Sequence, residues 1–144
     1  MNLTGRDIYQ KGQKPAKVRK PMRRVSKKRA RYYASEEGQS DLEYMGNVKM
    51  QPCAICGATE NIDAHHCRCW PEDIESHAYM QLPGAGMKSH ARDTIPLCRY
   101  RCHKGGPLSF HEDRKGWVKR NGPDYTYIPA TRAAVAAMRA EIDF

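Results

Sequence analysis

Cys53 and Cys56 form a C-x2-C turn, and Cys98 and Cys102 form a C-x3-C turn. Two such turns can present four thiolates to one ion. That is the closed tetrahedral arrangement of a structural zinc site, which folds a domain whose apolar core is too small to do so alone. The second turn has three intervening residues where two are commoner, so His103, next in the chain, could replace Cys102 as the fourth ligand. Cys67 and Cys69, in HHCRCW, lack a matching pair and read as strand thiols. The histidines form a second constellation: His65 and His66 are adjacent, His103 follows the second cysteine turn, and His111 lies beyond a Gly105-Gly106-Pro107 break. A zinc knuckle has no use for an adjacent histidine pair beyond its four ligands. An open metal site does, because one imidazole can bind the ion while its neighbour deprotonates water. The contrary reading makes these histidines packing groups or alternative zinc ligands. His77 and His90 fit neither pattern.

The elements that must hold these side chains can be read from periodicity and punctuation. Residues 1 to about 31 have few large apolar side chains, two prolines and no periodicity, which predicts an extended or disordered arm over 1–34 ahead of a single domain over 35–144. KKRARYY at 27–33 is expected to become helical on a ligand. From Ser40, a capping box with Glu43 and a stripe of Leu42, Met45 and Lys49 predict a short helix. The alternation in NIDAHHCRC (61–69) predicts a strand, residues 70–92 a long loop, and DTIPLC a second strand. LSFHEDRKGWVKRNG (108–122) predicts a helix that begins around His111 and stops at Gly122-Pro123. An Ala-rich helix follows near Pro129, docking through Ala133, Ala137 and Met138. The fold class is therefore α+β.

Charge is uneven. Residues 1–31 hold twelve of the 25 Lys and Arg against Asp7 alone, giving that segment +11 and leaving the rest of a chain of net +9 near neutral, at −2. Lys17, Arg19, Lys20, Arg23, Arg24, Lys27, Lys28, Arg29 and Arg31 are its candidate phosphate contacts. Such a segment suits a polyanion, since each cation placed on a phosphate releases condensed counterions. Nucleic acid is the first partner expected; a solvated tail or a face for anionic lipid is the contrary reading. No run of about 18 apolar residues and no apolar signal core is present, so the expectation is a cytoplasmic protein with no membrane partner, whose cysteines bind metal rather than form disulfides.

The ordered combination CAIC, IDAHH, DTIPLC and CH, from Cys53 to about His111, resembles the HNH endonucleases, the ββα-metal family, in their zinc-stapled form. The basic arm and the ending FHEDRKGWVKRNG are similar to small phage or prophage HNH proteins related to the recombination-enhancement nuclease. The resemblance implies a small ββα-metal core with a zinc knuckle and flanking helices, cutting double-stranded DNA in a bacterial host, with a phage or host recombination or packaging protein as a further partner. It makes His66 the general base and His65 a ligand of the catalytic ion. His103 matches the third histidine of the motif, and His111 either joins it on the ion or takes its place. Asp93 falls at the family's central Asn position, and the change to a carboxylate leaves two roles open, orienting the base or binding the cation. The implied metals are a structural zinc and a catalytic Mg2+, Mn2+, Ni2+ or Zn2+. The alternative is a non-catalytic, zinc-ribbon-like DNA-binding or recruitment protein.

Overall fold

The structure, a computed structural model, describes residues 24–73, 75–81, 83–84 and 87–142. The arm cations Lys17, Arg19, Lys20 and Arg23 lie outside them; Arg24, Lys27, Lys28, Arg29 and Arg31 lie within. The fold is mixed helix and sheet. Its elements are α1 (Lys27–Ala34), α2 (Glu36–Lys49), β1 (Ile62–His66), β2 (Thr94–Cys98), α3 (Arg114–Asn121) and α4 (Ile128–Ile142). Among the described residues no helix is long and apolar enough to cross a membrane.

Residues 27–34 form helix α1, where the sequence suggests the end of an unstructured arm. Ser26 starts α1 by accepting from the Arg29 N–H at 3.2 Å. Ser35 ends α1 and, accepting from the Gly38 N–H, also caps α2. Helix α2 thus begins at Glu36, not at the Ser40 capping box, because Ser35 is followed at once by two acidic residues that suit a helix N-terminus. A Cβ on Gly38 would run into the Tyr32 carbonyl, so glycine lets the two helices pass closely.

Strands β1 and β2 pair antiparallel, from Ile62 opposite Cys98 to His66 opposite Thr94. Every residue of β2 is buried, consistent with its unbroken apolar run. Pro96 is tolerated because its backbone polar groups point away from β1, so its missing N–H costs no ladder bond; its carbonyl accepts instead from the Ala54 N–H at 2.9 Å, which pins the first cysteine turn to β2. Side chains alternate across β1, placing Asp63 and His65 on one face and Ala64 and His66 on the other. The principal core gathers Ile62, Ile95, Leu97, Phe110, Trp117 and Ile128. A smaller cluster of Tyr44, Val48 and Val135 packs against Ala64.

Helix α3 is shorter than the sequence suggests. Asp113 caps it by accepting from the Gly116 N–H, Gly122 ends it at φ +79°, and residues 108–113 form turns rather than helix. In α4 the buried positions are Ile128, Thr131 and Val135, whereas Ala133 and Ala137 are exposed and Met138 half-buried. An alanine-rich helix offers similar side chains on every face, so its composition does not say which one docks.

Candidate metal centres

The first cysteine turn closes on itself through the Cys53 N–H to the Ala58 carbonyl (2.8 Å) and the Gly57 N–H to the Cys53 carbonyl (2.9 Å). The second cysteine turn is one π-helical turn, Arg99–His103, springing from the end of β2. Because β2 carries Cys98 and anchors Ala54, the two turns meet. The sulfurs of Cys53, Cys56, Cys98 and Cys102 all lie within 4.8 Å of one another, with Cys56 and Cys98 at 3.5 Å. Sulfurs on a tetrahedral zinc with bonds of about 2.3 Å would stand roughly 3.8 Å apart. The cluster therefore needs little rearrangement to hold an ion such as zinc. Burial opposes ionisation of the Cys56 thiol, but the Ala58 backbone and the neighbouring thiols outweigh it and bring its pKa down to about 7. Burial pushes the Cys98 and Cys102 thiols up, so an ion binding here must displace protons. Cys67 and Cys69 lie just past β1, outside this group, and burial pushes both thiols up.

The π-helical turn also sorts its last two residues. Cys102 joins the thiols, while His103 joins His65 and His111, whose candidate ligand nitrogens all lie within 4.8 Å of one another. Two backbone bonds bring His111 back over eight residues: the Phe110 N–H donates to the Cys102 carbonyl at 2.9 Å and the His111 N–H to the His103 carbonyl at 3.1 Å. The reversal passes through Gly105 at φ +88°, a conformation that favours glycine. The ring centroids of His103 and His111 are 4.9 Å apart, those of His65 and His103 5.0 Å, and His65 packs on Phe110 at 4.4 Å.

Two carboxylates fix two of these rings. The carboxylate of Asp63, two residues before His65 on the same strand face, meets His103 Nδ1 at 2.9 Å and the Arg99 guanidinium at 2.7 Å. That leaves His103 Nε2 facing His111 Nε2 at 3.2 Å. Asp124, in the turn before α4, holds His65 Nε2 at 3.0 Å and accepts from the backbone N–H groups of Arg68 (2.7 Å) and Cys69 (2.9 Å). Since a carboxylate only accepts, the proton sits on His65 Nε2 and Nδ1 carries the lone pair. This is the carboxylate–histidine pairing that sets the tautomer of a metal ligand. Arg99 and His103 hold the Asp63 carboxyl well below the usual carboxylate range against the effect of burial. Burial pushes Asp124 up, but its three hydrogen bonds outweigh that and its pKa falls. Burial lowers the pKa of His65, His103 and His111, favouring the neutral imidazoles that coordinate metals. His65 is 1 % exposed while His111 faces solvent, so the group is closed behind and open in front.

His66 stands apart. It leaves β1 on the opposite face and its Nδ1 lies 2.9 Å from the Ser89 carbonyl. A carbonyl cannot donate, so Nδ1 carries the proton and Nε2 the free lone pair. Burial, with Lys88 and His65 nearby, lowers its pKa against the Ser89 contact. Asp93 does not join the histidines. Its buried carboxylate is paired with Arg132 at 2.8 Å and accepts from the Gln81 N–H at 3.0 Å, tying α4 and the long loop to the start of β2. The sequence reading missed Asp63 and Asp124. Strand alternation two residues from His65 signals the first; nothing local signals the second.

No protein-family model, curated protein or solved structure matches this chain.

Proposed function

We propose that the protein is a metal-dependent endonuclease of the HNH type that hydrolyses DNA phosphodiester bonds, with His65, His103 and His111 as ligands of the working ion and the four cysteines as a structural zinc knuckle. The observation that carries the reading is the three-imidazole group: its rings are set by Asp63 and Asp124 and it opens to solvent on one side, as a site with three protein ligands and one free position requires. A divalent ion held there would supply positive charge for a phosphate oxygen and for the departing 3′ oxygen. The donor set is nitrogen-rich and fits zinc, nickel or manganese better than magnesium.

Around that charge the chain's own groups do the remaining work. His66 Nε2, with its lone pair set by the Ser89 carbonyl, takes a proton from the attacking water. The new P–O bond forms as the bond to the 3′ oxygen breaks, leaving a 5′ phosphate. Because His66 and His65 leave opposite faces of β1, the scissile phosphate has to reach both past the strand end. The cations of α1 and the preceding arm supply sequence-independent attraction to the backbone. Asp93, bound to Arg132, acts as a structural anchor in this scheme.

The test is plasmid nicking by the zinc-loaded protein across divalent metals, with His65→Ala, His66→Ala and His111→Ala alongside. Activity lost in all three supports the scheme. Activity lost in His65→Ala and His111→Ala but kept in His66→Ala removes His66 as the base. No nicking by the unmodified protein under any metal leaves the non-catalytic DNA-binding reading.

A further inference from the structure

Between α1, α2 and the segment at residues 87–91 lies an open groove of about 670 Å³, within the size range of small-ligand sites. It is separate from both metal clusters, yet His66 forms part of its lining. Two kinds of surface meet in it. Lys28 and Arg29 on α1 and Lys88 on the facing segment supply cations from both sides. Between them lie the Tyr32 ring, 36 % exposed, and the Met87 thioether, 69 % exposed. The acids are Glu37 and Asp41. Asp41 is already engaged: it accepts from the Tyr32 hydroxyl and is paired with Arg92 at 3.5 Å and His90 at 3.4 Å. Those contacts seat α1, and with it Lys28 and Arg29, on the body of the domain.

We propose that this groove holds an unpaired DNA strand, with one base stacked on Tyr32 and Met87 and the flanking phosphates on Lys28, Arg29 and Lys88. The inference rests on the nuclease reading and narrows its substrate to DNA with a single-stranded segment. Duplex DNA presents its phosphates outward and keeps base faces within the stack, so a bare aromatic ring and thioether between cations would meet nothing that suits them. An unpaired strand offers both, and stacking tolerates any base. Charge complementarity points the same way. Lys28 and Arg29 belong to the most cationic part of the chain, residues 1–31 at net +11, which attracts a polyanion to this side of the groove. A strand lying there also passes His66, whose Nε2 is free to act on it.

The test uses full-length, zinc-loaded protein carrying His111→Ala, a change outside the groove, so that binding is read without turnover. Fluorescence anisotropy is measured on labelled oligothymidine, on oligouridine and on a blunt hairpin duplex. Oligothymidine is expected to bind more tightly than the duplex. Tyr32→Ala should weaken strand binding about 5- to 150-fold, the range for losing one stacked base. Tyr32→Phe keeps the ring but loses the hydroxyl's bond to Asp41, so it should recover part of the strand affinity that Tyr32→Ala loses. Lys88→Gln, on a different segment, should lower the slope of log affinity against log salt by about 0.7 on the single strand. Equal or tighter binding of the duplex overturns the proposal, as do unchanged affinities in both Tyr32→Ala and Lys88→Gln. Tighter binding of oligouridine overturns the assignment to DNA. Strand binding as expected, with no cleavage by the unmodified protein, would overturn only the nuclease reading.

Discussion

Replacing Asp124 by Asn changes almost no volume and removes one charge from a side chain with no exposed surface. Its Oδ2 takes hydrogen bonds from His65 Nε2 and the Arg68 N–H, and its Oδ1 from the Cys69 N–H. An amide has one oxygen and one NH2 group, so at least one of these donors must face another donor. If the oxygen stays toward His65, the NH2 meets the Cys69 N–H, and the unmade buried hydrogen bond costs about 1–3 kcal/mol. If the amide turns round, the Arg68 N–H is stranded and His65 must move its proton to Nδ1, removing the one lone pair it could offer a metal. Taking about 2 kcal/mol, the melting temperature should fall by roughly 7–9 °C for a domain of this size. Affinity for a divalent ion at the histidine group should fall about 10- to 100-fold. Both are measurable on protein whose thiol site has first been filled with zinc, by a thermal melt and by calorimetric titration with nickel. A variant that melts lower yet binds nickel as tightly as the unmodified protein would refute the claim that Asp124 sets the His65 ring for a metal.

Cys98→Ser should cost the purified protein about one tightly held zinc and, since such binding supplies on the order of 10 kcal/mol, its cooperative melt as well; metal analysis and calorimetry check this. His66→Ala should lower nicking about 100-fold or more with zinc content unchanged and DNA affinity lowered far less than the rate, as read by nicking and anisotropy together. His65, His103 and His111 have folded pKa values lowered from 6.5, so the unfolded chain binds more protons; their contribution to stability is present above about pH 6.5 and is lost as pH falls through the folded values, which melts from pH 8 to 5 should show. Deleting residues 1–23 removes seven Lys and Arg; if about half touch phosphate, the salt slope on duplex DNA should drop by roughly 3, and an unchanged slope would mean the arm does not contact DNA.

Where the chemistry fixes both residue type and spacing, the chain could be read directly. Four thiols in two short turns have few other uses, and the two strands behind them announce themselves, β1 by alternation and β2 as an apolar run. How the chain places the remaining groups depends on relations that spacing does not encode. Adjacent histidines look like partners in one dimension, but strand alternation sends His65 and His66 to opposite faces. Asp93 stands near the histidines in sequence, yet Arg132 from α4 claims its carboxylate. Asp124 is 59 residues from the ring it orients and sits in a turn whose sequence, DYTY, gives no hint of it. The Ser40–Glu43 pattern imitates a helix start inside α2, which Ser35 and the acidic pair after it begin five residues earlier.

The two metal groups are not independent. Cys102 and His103 are consecutive residues of one π-helical turn, and that turn sends the first side chain into the thiols and the second into the imidazoles. The same two residues offer the carbonyls that hold Phe110 and His111 in place. Two of the three imidazoles therefore depend on backbone that the thiol group organises, while His65 is held separately by β1 and Asp124. An ion in the thiol group would fix the turn, the turn would fix His103 and His111, and only then could the histidine group bind its own ion without ordering the chain at the same moment. The dependence runs one way: His111 carries none of the thiol group, so losing its imidazole opens the histidine group and leaves the knuckle whole, whereas losing Cys98 takes both.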